Sequence, residues 1–157
     1  MKRGVPLSSE YKCLANIELD GGDVQITVSG DEQVFTFSSG LGSVILPQFF
    51  KLLSSFYTEE NSRTRLDSYG NADYYNFVRD GSRIRIEYVR HHSGGRDTFI
   101  VNLYQFVIAI DKAFNKLFKQ LRREGIIPLK NEEFSHPLAE NVINAYNEFS
   151  SILNSRK

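Results

Sequence analysis

The chain has 157 residues and a formal net charge of zero, with 41% hydrophobic and 24% charged residues. That length suits one domain with a core of its own. The single cysteine, Cys13, excludes an internal disulfide framework and a cysteine-rich zinc site.

No stretch approaches the roughly 18 apolar residues of a membrane span. The opening MKRGVPLSSEYK has two basic residues but no apolar run after them, so no signal peptide is expected. A cytoplasmic protein without a membrane partner is the expectation. Charge is uneven along the chain. Residues 1–62 hold four Lys/Arg against eight Asp/Glu, residues 63–130 thirteen against seven, and residues 131–157 two against four. An acidic front and a basic middle give a folded chain two faces of opposite sign.

The first forty-six residues read as strands. Cys13, Ala15, Ile17 and Leu19 alternate with Leu14, Asn16, Glu18 and Asp20, and Gly21-Gly22-Asp23 marks a tight turn. Val24, Ile26 and Val28 form a second alternating run, Gly30-Asp31 turns again, and Val34 to Phe37 is a third strand. Ser43 to Leu46 reads as a short fourth strand. Pro47 then suits the first position of a helix, where its missing N–H is no loss. Phe49, Phe50, Leu52, Leu53 and Phe56 follow at helical spacing to about Tyr57. The polar residues 58–72 read as a long loop.

Strands return from Tyr74 to Arg79 and from Arg83 to Arg90. Between them, Asp80-Gly81 signals a two-residue hairpin with positive φ at both positions. His91 to Asp97 is a glycine-containing loop, and Thr98 to Val101 another strand. A long helix from about Leu103 to Glu124 follows, ended by Gly125. Pro137 opens a last helix whose stripe runs from Leu138 to Leu153. The expected fold is α+β: about seven antiparallel strands in two strand-then-helix repeats, residues 12–57 and 73–124, with a C-terminal helix over 135–154.

Ser43-Val44-Ile45-Leu46-Pro47 and Thr98-Phe99-Ile100-Val101-Asn102 occupy corresponding places at the entry to each helix. The plan resembles the repeat of four strands and a helix in the Whirly and PUR families of single-stranded nucleic-acid-binding proteins. The resemblance is one of topology over residues 12–124 and does not extend to the basic KGKAALS-type motif of Whirly proteins. Small immunity proteins sometimes use nucleic-acid-binding folds, so the same plan is compatible with a bacterial toxin-immunity protein.

Three groups of residues have chemistry to offer. Glu18, Asp20, Asp23, Asp31 and Glu32 form an acidic set on the polar side of the first strands, suited to docking a basic partner. Arg79, Arg83, Arg85, Arg90 and Arg96 form a basic set suited to phosphates, with Arg83 and Arg85 on one side of a strand. His91 and His92 are adjacent and diverge on an extended chain, so no metal site is expected. No nucleotide-binding glycine loop, G-x-S-x-G or H-E-x-x-H occurs. No cofactor and no catalysis are expected. The first expectation is a non-enzymatic protein-binding protein, in concrete form an immunity protein that neutralises a basic toxin such as a nuclease. The second is a single-stranded nucleic-acid-binding protein. Oligomeric state is left open.

Overall fold

The hairpin spacing of the first forty residues produces a meander. β1 (Leu14–Asp20), β2 (Asp23–Gly30) and β3 (Gln33–Ser39) pair antiparallel in the order β1-β2-β3. The computed structural model describes residues 13–30, 32–129 and 136–155. A helix, α1 (Gly42–Tyr57), leads to a second meander of β4 (Arg63–Asp67), β5 (Tyr74–Asp80), β6 (Arg83–Val89) and β7 (Arg96–Asn102), in the order β4-β5-β6-β7. Two further helices follow, α2 (Leu103–Arg123) and α3 (Glu140–Ser155). Among the described residues the fold is α+β with seven strands, three before α1 and four between α1 and α2.

Two expectations fail, and they cancel in the strand count. Residues 43–46 are helical, because the buried set Ser43, Ile45, Leu46, Phe49, Phe50, Leu52, Leu53 and Phe56 keeps one helical period from the start of α1. Residues 63–67, expected in a loop, form β4 against β5, with Arg63 opposite Val78 and Asp67 opposite Tyr74. Smaller corrections concern boundaries. The last helix begins at Glu140 and not at Pro137, after a turn in which the Leu138 N–H donates to His136 Nδ1 at 3.0 Å. The β5–β6 loop is Gly81-Ser82, closed by Asp80 opposite Arg83, and positive φ occurs at Gly81 and not at Asp80.

Pro47 therefore sits inside α1. A proline cannot donate to the carbonyl four residues back, which here is that of Ser43. Asn141 of α3 supplies the missing donor, with Nδ2 3.2 Å from Ser43 O. The entry to α1 is equally constrained. The Gly42 N–H donates to Gly22 O at 2.8 Å. A Cβ on Gly42 would lie 2.9 Å from Pro137 Cβ and 3.1 Å from Gly22 O, so only glycine fits without movement.

The buried residues of both sheets and of α1, α2 and α3 form one cluster. Phe37 of β3 stacks on Phe49 of α1 at 5.4 Å and meets Tyr75 and Phe77 of β5 edge-on at 4.6 and 6.1 Å. Phe50 holds α1 to Phe114 of α2 at 4.8 Å and to Phe149 of α3 at 5.5 Å. Since the inner positions are spent on this core, the alternate positions of each strand face outward.

Asn141→Ala should destabilise the fold by about 1–2 kcal/mol by stranding the part-buried Ser43 carbonyl. In a Pro47→Ala background the restored N–H takes that carbonyl, and the cost of Asn141→Ala should shrink. Denaturant unfolding of the parent and the three variants checks this; equal costs in both backgrounds would refute the link.

Candidate functional site

The outward face of the three-stranded sheet is built by alternation. Asn16, Glu18 and Asp20 of β1 share it with Asp23, Gln25 and Thr27 of β2 and with Thr36 and Ser38 of β3. Glu18 stands opposite Gln25, which stands opposite Ser38. Asp20 stands directly opposite Asp23 at the hairpin end. Like charges in that position destabilise a sheet. Among the described residues none of these three carboxylates has an ion pair. Glu18 takes only a 3.4 Å hydrogen bond from Asn16.

These carboxylates line one side of a cleft of about 440 Å³. Its other side is the β4–β5 loop with Tyr75 and Tyr88, and its lining includes the buried hydroxyls of Ser39 and Ser68. The loop is braced by Asn71, whose Oδ1 accepts from Ser68 Oγ at 2.9 Å and from the Asp73 N–H at 2.7 Å. The Gly40 N–H ties the β3–α1 corner to Ser68 O at 3.0 Å. Glu18, Asp20 and Asp23 are thus brought together. Glu32 lies in the β2–β3 turn, at the opposite end of the sheet, and Asp31 lies outside the described residues.

The outward face of the four-stranded sheet has the opposite sign. It carries Arg63 and Arg65 of β4, Arg83 and Arg85 of β6 and Arg96 of β7, against Asp67, Asp80 and Glu87. Arg63, Val78, Arg85 and Ile100 form one cross-strand row. Successive outward residues on a strand are about 7 Å apart and alternate strands about 9.5 Å apart, so four of the arginines make a staggered lattice in which Arg63 faces Arg85 across β5, Arg65 shares its row with Glu87, and Arg83 stands beside Asp80. Arg65 pairs with Asp67 at 3.2 Å and lies over the Tyr74 ring at 3.7 Å. Arg96 is 3.7 Å from Glu87. Arg63, Arg83 and Arg85 have no ion pair among the described residues, and Arg85 Nε is buried without a hydrogen-bond partner.

Two of the expected arginines are used elsewhere. Arg79 is 11% exposed, and its guanidinium donates to Phe56 O, to Gly81 O at 2.9 Å and to Glu59 at 3.0 Å, joining the end of α1 to the β5–β6 hairpin. Arg90 pairs with Asp97 and lies 5.2 Å from the Tyr88 ring centre. Sequence reasoning misses Arg63 and Arg65. The available signal is the alternation around Leu66 in Arg63-Thr64-Arg65-Leu66-Asp67, which one buried apolar residue makes faint.

Cys13 is buried just before β1. The His91 and His92 rings are 5.7 Å apart, and no cluster of metal-ligating residues occurs among the described residues. Beside the cleft, Tyr88 Oη donates to Asp73, which also accepts the His91 N–H at 2.9 Å. The Tyr88 and His91 bonds hold the Asp73 carboxyl below its ordinary 3.8. The same carboxylate, chiefly through that hydrogen bond, pushes the Tyr88 phenol up to about 12. Tyr88→Phe removes the larger cause of the Asp73 shift, so its carboxyl should titrate at higher pH in the variant. Carbon-detected NMR titration reads this directly, and an unchanged Asp73 titration would exclude the Tyr88 bond as the cause.

No family model matches this chain, and neither the curated proteins nor the solved structures contain a match to it.

Proposed function

We propose that this chain is a non-enzymatic protein-binding protein that docks a basic partner against the acidic end of its three-stranded sheet. The observation that carries the reading is the placing of Glu18, Asp20 and Asp23 together on the rim of one cleft, without cationic partners among the described residues. The Asp20–Asp23 opposition weakens the hairpin that bears it. A basic side chain from a partner relieves that repulsion, so the cost falls on the free protein and not on the complex. Fixed negative potential also steers a positively charged partner during encounter. An intracellular immunity protein that covers a basic toxin domain, such as a nuclease, is the concrete form of this proposal.

Asp20→Asn with Asp23→Asn should raise stability, by roughly 0.2–1 kcal/mol in denaturant unfolding, while weakening capture of the partner. Pull-down from the native host, including products of neighbouring genes, supplies that partner. Binding unaffected by the double substitution would sink the acidic-face reading.

A second reading has its own observation, the arginine lattice of the four-stranded sheet. Its spacing suits successive phosphates of a single strand, and Tyr74 offers one ring beside Arg65. In that case Arg63→Gln with Arg85→Gln should weaken oligonucleotide binding and flatten its dependence on log salt by about one to two units of slope. Absence of binding to a single-stranded oligonucleotide at low salt eliminates this second reading.

A further inference from the structure

The basic middle of the chain divides between two places. One is the arginine lattice just described. The other is α2, which carries Lys112, Lys116, Lys119, Arg122 and Arg123. At 100° per residue these five side chains, with Tyr104 and Ile108, fall within an arc of about 120° on the helix. All seven are exposed.

No acidic residue shares that arc. Asp111 lies outside it and accepts the Tyr146 hydroxyl at 2.6 Å, which joins α2 to α3. Glu124 is the C-cap residue and accepts from Gln120 at 3.0 Å. None of the five cations has an ion pair among the described residues. The opposite side of the helix, with Phe106, Val107, Ile110, Phe114 and Phe118, is buried in the core.

We infer that this stripe lies against an anionic lipid surface, with the helix axis parallel to the membrane plane. Three properties select this occupant. The stripe is convex and about 28 Å long at 1.5 Å per residue, so it offers no groove to a small ligand and fits a flat, continuous surface. Its cations are mainly lysines, whereas the sheet lattice is wholly arginine. Lysine is a compact charge on a flexible stem, suited to a diffuse field of headgroups, and arginine's fork suits discrete phosphates. Tyr104 and Ile108, 43% and 42% exposed, continue the stripe with an amphipathic ring and an aliphatic side chain that enter the headgroup layer. The described helices include none long and apolar enough to cross a membrane. The association inferred is peripheral and electrostatic, and is independent of the acidic cleft.

Each basic residue near an anionic leaflet strengthens binding about fivefold. The test is co-sedimentation of the full chain with phosphatidylcholine vesicles, with and without phosphatidylserine. Binding should need phosphatidylserine and should fall as salt is raised. Lys112→Gln, Lys116→Gln and Lys119→Gln together should weaken it about a hundredfold, and Ile108→Ser should weaken it less. Circular dichroism confirms that each variant is folded. Arg83→Gln with Arg85→Gln should leave vesicle binding unchanged. No binding to phosphatidylserine vesicles at low salt, or equal binding by the triple-lysine variant, overturns the inference. So does loss of oligonucleotide binding in the triple variant with no vesicle binding by the parent, which would make the stripe a nucleic-acid surface.

Discussion

Gln33 covers an otherwise open edge of β7, and Tyr75 an otherwise open edge of β3. The Gln33 carboxamide acts as a piece of strand, donating to Ile100 O at 2.9 Å and accepting from the Ile100 N–H at 3.1 Å. At the other end of β3 the Ser38 N–H donates to Tyr75 Oη at 3.1 Å. Between them Phe35 stacks on Phe99 of β7 at 5.4 Å. An exposed flat edge strand invites pairing with another chain, and a three-stranded meander has little core of its own. The seam removes the first problem and supplies the missing core, because it sets the inner face of each meander against the other and against the helices.

Once the inner positions are committed to that seam, strand alternation fixes which residues point out. The charged faces are therefore consequences of the core. Glu18 and Asp20 are outward because Ile17 and Leu19 pack toward the core. Arg83 and Arg85 are outward because Ile84 and Ile86 are fully buried. A slip of one residue in either register would bury the charges and expose the core, which holds both faces to the same packing that holds the fold.

Much of this is legible in the sequence where periodicity is clean. β1, β2, β6 and α2 each carry at least three apolar residues at their own period, and their limits fall close to expectation. The failures occur where the local cue and the long-range partner disagree. Val44 and Ile45 are β-branched and precede a proline, which locally reads as strand then helix start. The helix prevails because Ser43, Ile45 and Leu46 complete its buried face and Asn141 supplies the donor that Pro47 lacks. Nothing near Pro47 announces a partner ninety-odd residues away. β4 is hidden for the opposite reason, since only Leu66 is buried and pairing with β5 does the rest. The candidate sites inherit these errors. Glu18, Asp20 and Asp23 are foreseen, because their hairpin is local. Arg63 and Arg65 are missed with their strand, and Arg79 is misassigned because its acceptor is the end of α1, far away in the chain.

Surface positions away from caps and networks contribute little to stability, so the fold does not dictate what stands on the outward faces. Neutral polar residues would serve at Glu18, Asp20 and Asp23, and an asparagine in place of either aspartate would ease the hairpin. The fold would equally tolerate lysine for arginine on the sheet and arginine for lysine on α2. Yet the cleft end of the three-stranded sheet groups Glu18, Asp20 and Asp23 and the α2 stripe groups five cations, each without an opposite charge among them, while the arginine face also carries Asp67, Asp80 and Glu87. Packing accounts for the direction of each side chain but not for that grouping. The proposed partners, a basic protein at the cleft and anions at the cationic surfaces, would account for that grouping. In either case the seam between the sheets is the common support that holds these surfaces in place.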